Sequence, residues 1–240
     1  MDKKHVLIFG SEGYIGLDLQ KRFDLEKYSL ICIDQKPQDQ VQKESNKVYL
    51  QLDITNEEDQ KFLISYLERE NIEIHYLVYL VGINTMDNFF TITDENWDKT
   101  FQTNIKSFVF LLKKIYHFFA KKVAIVTVAS QNGVVAHEDR IAYGTSKAAL
   151  IHLTKNLSID FLKDKSRDIK VNCVSPSYVK NESNQTLLNS HQGRTYLNRI
   201  PYRKFLEAKD VSNVILFLLS EKSDAIRGQN IVVDYGYTII

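Results

Sequence analysis

The chain has 240 residues, of which 44% are hydrophobic and 25% are charged, the proportions of an ordinary folded protein. Its 31 basic and 30 acidic side chains leave a net charge of +1, which excludes a disordered chain and offers no basic surplus for nucleic acid. The two cysteines, Cys32 and Cys173, lie in apolar runs without a CxxC spacing, so we expect reduced thiols, no metal site and a cytoplasmic location. The longest apolar stretches, 76–83 and 123–129, are much shorter than the roughly 18 residues of a membrane-spanning helix. Residues 1–10 also lack the apolar core of a signal peptide, so we expect no membrane partner.

Short β-rich apolar runs alternate with longer segments of helical periodicity, which predicts an α/β fold. We expect a Rossmann-like, doubly wound parallel sheet of about seven strands with helices on both faces. In chain order the predicted elements are a strand at 5–9, a helix at 14–27, strands at 29–34 and 47–53, a helix at 57–70, a strand at 74–82, a helix at 94–120, a strand at 122–130, a helix at 141–163, a strand at 169–175, a helix at 208–220 and a strand at 230–234. No linker or repeat divides the chain, so we predict one domain over residues 1–240, with the polar, non-periodic segment 178–205 as a substrate-binding lid.

Three of the nine glycines, Gly10, Gly13 and Gly16, follow the first predicted strand and open the first helix. Glycines permit a tight turn and a close approach of the backbone, and the free N–H groups at a helix N-terminus attract phosphate. This turn, with Ile15 between its last two glycines, is predicted to bind the pyrophosphate of a dinucleotide. The alternative is a plain turn with a glycine that packs against the helix.

Two acidic residues end the second and third predicted strands. Asp34 can accept both hydroxyls of an adenosine ribose and would repel a 2′-phosphate, which favours NAD without excluding NADP; nearby Lys36 weakens that preference. Asp53 can accept from the adenine amino group, with Ile54 beside it, although an aspartate that caps the loop is nearly as plausible.

Tyr143 and Lys147 are four residues apart and so lie on one face of a predicted helix. Ser130 ends a buried strand, at the edge of the sheet where ligands bind in open α/β folds. Asn104 is a polar residue inside a long apolar helix, which suggests either a functional role or a local kink. A phenol suits proton transfer to or from a substrate oxygen, and a lysine about 4 Å away can lower the pKa of that phenol by enough to work near neutral pH.

With these pieces in this order, the chain resembles the short-chain dehydrogenase/reductase family, of the compact single-domain type, over nearly its whole length. Further matching pieces are Trp97-Asp98, the run from Val171 to Pro176, Gly228-Gln229 and Asp234-Tyr235-Gly236. The resemblance implies hydride transfer between a nicotinamide cofactor and a carbonyl or secondary alcohol substrate. It also implies a homodimer or homotetramer that associates through the helices at 94–120 and 141–163.

The resemblance also assigns roles to individual residues. The tetrad would be Asn104, Ser130, Tyr143 and Lys147: Tyr143 would be the general acid/base, Ser130 would orient the substrate oxygen, Lys147 would hold the nicotinamide ribose, and Asn104 would anchor a water. The further cofactor contacts that it implies are at Gly82, Pro176, Val179 and Asn181.

The sequence departs from the family pattern in several places. Its first glycines are spaced GxxGxxG, as in the extended relatives, instead of GxxxGxG, and Ser177 replaces the usual glycine after Pro176. Tyr79-Leu80-Val81-Gly82 stands where NNAG is common, and Asn181 stands where a threonine is common. Two alternatives therefore remain open, a sugar-nucleotide epimerase or dehydratase and a catalytically idle NAD-binding regulator. The substrate is also open among sugars or polyols, 3-oxoacyl thioesters and other ketones.

Overall fold

The structure, a computed structural model, describes residues 3–36 and 41–240, and in this part of the chain eight strands form one sheet. The order across the sheet is β3-β4-β2-β1-β5-β6-β7-β8, and every neighbouring pair is parallel except β3 with β4. The strands are β1 Lys4–Phe9, β2 Tyr28–Asp34, β3 Val41–Glu44, β4 Lys47–Gln51, β5 Ile74–Tyr79, β6 Phe119–Val128, β7 Asp168–Pro176 and β8 Asn230–Val233. The doubly wound parallel fold is thus confirmed, with one strand more than expected, since the short, polar β3 carries no strand pattern.

Helices cover both faces of the sheet, and alternate strand residues enter two separate cores. Leu7 and Phe9 of β1 belong to one core, while Val6 and Ile8 belong to the other. The helices are α1 Tyr14–Gln20, α2 Glu57–Arg69, α3 Asp94–Phe101, α4 Ser107–Ile115, α5 Ile141–Asp160, α6 Gln185–Leu188, α7 His191–Asn198 and α8 Ala208–Leu219. None of the helices in the described ranges is both long enough and apolar enough to cross a bilayer.

The helix predicted at 94–120 is interrupted and ends early. A π-helical segment, Gln102–Lys106, separates α3 from α4, and residues 119 and 120 begin β6 instead of ending the helix. The Ser107 hydroxyl donates to the Gln102 carbonyl at 2.7 Å, and the Ser107 N–H also bonds to this carbonyl, five residues earlier. Because aromatic residues fill both the helix and the strand here, periodicity did not show the boundary.

Helix α1 also ends earlier than predicted, at Gln20 instead of residue 27. Asp24 accepts a hydrogen bond from the Glu26 N–H at 3.1 Å and holds the following residues in a turn. Phe23 is nevertheless buried in the core, so the apolar spacing imitated a longer helix.

The segment 178–205 contains two short helices, α6 and α7, where we expected an irregular loop. Leu188 and Ile200 are buried and anchor it. Its two ends are joined, because the Lys180 N–H donates to the Leu206 carbonyl at 2.8 Å and the Leu206 N–H donates to the Tyr178 carbonyl at 3.0 Å. The segment is therefore a folded flap whose ends meet beside the carboxyl end of β7.

Candidate active site

The glycine turn lies at the carboxyl end of β1, as predicted. Gly10 has a φ of +79°, a conformation that favours glycine, and its N–H donates to the Ile33 carbonyl at 2.8 Å. Gly13 caps α1 without a side-chain hydrogen bond, so the N–H groups of the first turn remain open to a ligand. A Cβ on Gly16 would lie 2.4 Å from the Ser11 carbonyl oxygen, so only glycine lets the helix approach the turn. This geometry fits a pyrophosphate.

Asp34 lies beside this turn, at one end of a cavity of 530 Å³ that Gly10 and Gly13 also line. Its carboxylate accepts hydrogen bonds from the Glu12 N–H at 2.9 Å and from the Lys36 N–H at 3.0 Å. One carboxylate oxygen of Glu12 is buried without a hydrogen-bond partner among the described residues. The Lys36 ammonium donates to the Glu12 carbonyl. This end of the cleft is thus lined by the Asp34 carboxylate, with Lys36 beside it.

Asp53 lines the same cavity, but its side chain is also engaged in its own loop. One carboxylate oxygen accepts from the Thr55 N–H at 2.8 Å and from the Thr55 hydroxyl at 2.7 Å. The loop-capping role that we considered is therefore present, and the contact of Asp53 with adenine stays a prediction. Ile54 lies beside it in the cavity lining.

A second cavity, of 270 Å³, brings together most of the residues that the sequence singled out. Because Gly10, Gly13, Leu80 and Gly82 line both cavities, the two form one groove from Asp34 to Tyr143. The predicted site residues that line the second cavity are Gly10, Gly13, Ile15, Gly16, Gly82, Ser130, Tyr143, Lys147 and Pro176. An elongated groove with a phosphate-binding turn at its middle fits a dinucleotide cofactor.

Lys147 is almost fully buried in this second cavity, with 3% of its surface exposed. Its ammonium donates to the Val128 carbonyl at 2.9 Å and lies 5.7 Å from the centre of the Tyr143 ring. Burial lowers the pKa of Lys147 to about 8. A Cβ on Gly82 would lie 2.8 Å from the Lys147 nitrogen, so glycine at this position makes room for the lysine.

The Tyr143 phenol is influenced by a residue that the sequence analysis did not single out, Arg140. Burial raises the pKa of Tyr143, whereas the Ser130 hydroxyl and the positive charge of Arg140 lower it. We expected Lys147 to provide this charge, but its ammonium is directed at the Val128 carbonyl. Arg140 lies one helical turn before Tyr143, a spacing that would have indicated a shared face. Its Nε atom is buried without a hydrogen-bond partner among the described residues.

Asn104 lies inside the π-helical segment and is fully buried. Its side-chain oxygen accepts from the Ile83 N–H at 2.8 Å, and its amide nitrogen donates to the Ile83 carbonyl at 3.1 Å and to the Ser146 hydroxyl at 2.9 Å. Asn104 therefore joins the loop after β5 to α5, and the local kink that we considered is present. Both of its amide hydrogens are used, so the predicted water can be anchored only through the remaining acceptor capacity of the oxygen.

Two predicted cofactor contacts do not line the groove. Val179 is buried, and its carbonyl accepts from the Asn184 side chain at 2.8 Å. The side-chain oxygen of Asn181 accepts from the Ser183 hydroxyl at 2.6 Å and from the Asn184 N–H at 2.9 Å, so this side chain stabilises its own turn. Their contacts with nicotinamide stay predictions.

The structure also shows an aromatic contact between the flap and the loop after β6. The ring of Tyr196 in α7 stacks on Tyr178, with centres 4.9 Å apart, and a ring nitrogen of His137 lies 2.7 Å from the Tyr178 hydroxyl. Sequence reasoning missed this cluster because its members are far apart along the chain. It holds α7 against the loop that joins Ser130 to Tyr143.

Residues 3–36 and 41–240 contain no group of three His, Cys, Asp or Glu side chains placed to hold a metal ion. The catalytic cavity itself is lined by the hydroxyl of Ser130, the phenol of Tyr143 and the ammonium of Lys147. These are groups that bind an oxygen and move a proton.

Comparison with known proteins shows what the whole chain is similar to. A family model described as "Enoyl-(Acyl carrier protein) reductase" matches residues 12–238. The NAD-dependent glycerol dehydrogenase of Listeria innocua is 30% identical over 81% of this chain and 76% of its own length. Human L-xylulose reductase is 33% identical over 68% of each chain. The solved structure described as "ElxO with NADP Bound" has a TM-score of 0.87 and 26% identity over the full length of both chains.

The chain therefore belongs to the short-chain dehydrogenase/reductase family. It is an NAD(P)-dependent oxidoreductase that acts on alcohol or carbonyl groups.

Proposed function

We propose that this enzyme transfers a hydride between NAD and a secondary alcohol or ketone, with Tyr143 as the general acid/base. The observation that carries the proposal is the single cavity in which Ser130, Tyr143 and Lys147 meet the glycine turn. Bound nicotinamide supplies the hydride donor or acceptor. Residues 1–240 would act as one catalytic domain, with the segment 178–205 as its lid. His137 would help to hold this lid through its contacts with Tyr178 and Tyr196.

Each residue of the cavity has a distinct task in this reaction. In the reductive direction Tyr143 donates its phenolic proton to the carbonyl oxygen, while the Ser130 hydroxyl binds that oxygen. Lys147 holds the nicotinamide ribose, and its pKa of about 8 lets it accept and release protons near neutral pH. Asn104 positions the loop after β5 and would anchor a water beside Lys147.

The proposal is tested by measuring the turnover of reduced cofactor with three substrate classes: keto-sugars, 3-oxoacyl thioesters and simple ketones. The glycerol and xylulose in the names of two relatives make hydroxylated substrates the first choice. We expect NADH to be consumed with at least one class. Tight NADH binding without turnover of any class would favour an idle regulator instead.

We expect NADH to bind at least tenfold more tightly than NADPH. The carboxylate of Asp34 would repel the 2′-phosphate, and Lys36 offsets only part of this repulsion. Titrations of both cofactors by fluorescence measure the ratio, which corresponds to about 1.4 kcal/mol for each factor of ten. Asp34→Ser is expected to reduce the ratio of NADH affinity to NADPH affinity. Tighter binding of NADPH than of NADH by the unmodified protein would contradict the preference.

Arg140→Gln is expected to shift the pH profile of alcohol oxidation to higher pH. The positive charge of Arg140 lowers the pKa of Tyr143, so its removal raises that pKa and makes the phenolate available only under more alkaline conditions. The measurement is kcat against pH with saturating NAD and alcohol. Arg69→Gln, a change at a surface arginine of α2, is the control. An unchanged profile for Arg140→Gln would show that Arg140 has no influence on the acid/base group.

We also propose a homodimer or homotetramer that associates through α3, α4 and α5. These helices leave large apolar side chains exposed, namely Trp97, Phe110 and Ile159. We expect sedimentation of the unmodified protein to give the mass of two or four chains. Phe110→Glu is expected to lower the mass of the assembly. A monomer at micromolar concentration would contradict this proposal. The cytoplasmic location, inferred from the cysteines and the N-terminal residues, stays a prediction.

A further inference from the structure

Two of the departures from the family pattern meet in the catalytic cavity. Tyr14 lies where the GxxxGxG spacing has its middle glycine, and Ser177 replaces the glycine that usually follows Pro176. Both line the 270 Å³ cavity together with Ser130 and Tyr143. Each change introduces a hydroxyl group where the usual residue has no side chain.

The hydroxyl of Ser177 has no partner among the residues that the structure describes. Only 9% of this residue is exposed, and its Oγ atom is buried without a hydrogen bond to any described residue. Its backbone is fixed, because its N–H donates to the Val233 carbonyl at 2.9 Å. A buried hydroxyl without a partner is unfavourable, so a ligand group that bonds to it would remove this penalty.

Tyr14 presents a second hydroxyl to the same cavity. Its phenol donates no hydrogen bond to the described residues, and 44% of the residue is exposed. Burial of the phenol and the nearby Tyr143 raise the pKa of Tyr14 to about 12, so the group is neutral at physiological pH. The backbone N–H groups of the α1 start, and not this phenol, suit the pyrophosphate. The hydroxyl therefore remains available to a molecule that lies next to Tyr143.

We propose that Tyr14 and Ser177 form a subsite for a hydroxyl group on the carbon next to the reacting carbon. The substrate would then be a vicinal diol in the oxidative direction and an α-hydroxy ketone in the reductive direction. Two neutral hydroxyls, each a donor and an acceptor, complement a substrate hydroxyl better than a carboxylate. The one ammonium that lines the cavity, that of Lys147, already donates to the Val128 carbonyl.

This subsite rests on the proposed function and adds no new chemical step. In oxidation the C–H hydride of the secondary alcohol passes to NAD, and the O–H proton passes to Tyr143. The neighbouring hydroxyl is bound by Tyr14 and Ser177 and is unchanged in the product. Its effect is to orient the substrate and to favour hydroxylated substrates over simple alcohols.

The test compares 1,2-propanediol with 2-propanol, which differ by one hydroxyl group. We expect the unmodified enzyme to have a kcat/KM at least about tenfold higher for the diol. Tyr14→Phe and Ser177→Ala should each remove most of that preference. Tyr49→Phe is the matched control, since Tyr49 lies in β4, outside both cavities, and is expected to keep the preference.

Binding is measured separately from turnover, by titrating each alcohol into the enzyme–NADH complex and following NADH fluorescence. Diol binding that depends on both hydroxyls, without turnover of either alcohol, would support the subsite while contradicting the proposed function. Equal kcat/KM values for both alcohols would contradict the subsite alone. The subsite is also overturned if either variant weakens NADH binding and leaves the diol preference intact, because the hydroxyls would then serve the cofactor. If the diol is neither turned over nor bound, both proposals are contradicted.

Discussion

Tyr143→Phe is expected to lower kcat by about 10²- to 10⁴-fold while leaving NADH affinity nearly unchanged. The substitution removes only the phenolic oxygen, so the substrate oxygen loses its proton donor or acceptor. The ring remains, together with its contact with the Lys147 ammonium at 5.7 Å, and the glycine turn is unaffected. Steady-state turnover and an NADH titration of the same preparation measure the two effects separately.

The matched control for this experiment is Tyr66→Phe, which removes a phenolic oxygen from the buried face of α2. We expect this variant to keep normal turnover, because Tyr66 lines neither cavity of the groove. Full turnover by Tyr143→Phe would mean that another group transfers the proton. Loss of NADH binding by Tyr143→Phe would mean that the phenol serves the cofactor instead of the substrate.

The features that sequence predicted well are those that depend on neighbours along the chain. The glycine turn, Asp34 and the pair of Tyr143 and Lys147 each lie within a few residues of a strand end or on one helical turn. Short-range spacing determines such features, and the parallel sheet then brings the strand ends to one edge. The structure places these residues along one groove, as we expected.

The features that sequence missed depend on partners that are distant along the chain. The helix interruption at Asn104 requires Ile83 and Ser146, which come from two other segments. The contact of His137 with Tyr178 joins residues 41 positions apart. Strand β3 was missed for another reason, since it pairs with β4 across only two intervening residues but its polar sequence has no apolar alternation.

The effect of Arg140 on Tyr143 was missed for a different reason. Its spacing from Tyr143 is visible in the sequence, but surface arginines at such spacing are common and contribute little. Arg140 is distinguished by its buried Nε atom, which has no hydrogen-bond partner among the described residues, and by its nearness to Tyr143; both are properties of the folded chain. The effect of the Arg140 charge on the pKa of Tyr143 therefore could not be inferred from the sequence spacing alone.

Lys147→Met is expected to abolish most activity. It is also expected to raise the free energy of unfolding, relative to the unmodified protein, by more at neutral pH than at alkaline pH. The ammonium has a pKa of 10.5 when solvated and about 8 in the folded protein, because burial disfavours its charge. Below pH 8 Lys147 is charged in both the folded and the unfolded state, so the folded state bears the full free-energy cost of burying the charge, which we call the burial penalty. Above pH 10.5 both are neutral and the penalty is absent.

The penalty corresponds to roughly 3 kcal/mol, and methionine at this position removes it. Loss of the hydrogen bond to the Val128 carbonyl opposes this gain, but that loss does not change with pH. The stability of Lys147→Met relative to the unmodified protein should therefore decrease by roughly 3 kcal/mol between pH 8 and pH 10.5. Urea unfolding of both proteins across this range measures the difference, and subtraction removes the titration of other groups.

Lys155→Met is the control, because Lys155 is exposed on the same helix and its ammonium remains in water. Its unfolding free energy should follow that of the unmodified protein with only a small offset at every pH. Parallel curves for Lys147→Met would contradict the burial penalty. A relative stability of Lys147→Met that is larger at low pH would show that the buried ammonium destabilises the folded protein, at the residue proposed to hold the nicotinamide ribose. Retention of a buried lysine that destabilises the folded state is what a catalytic role of Lys147 explains and a purely structural role does not.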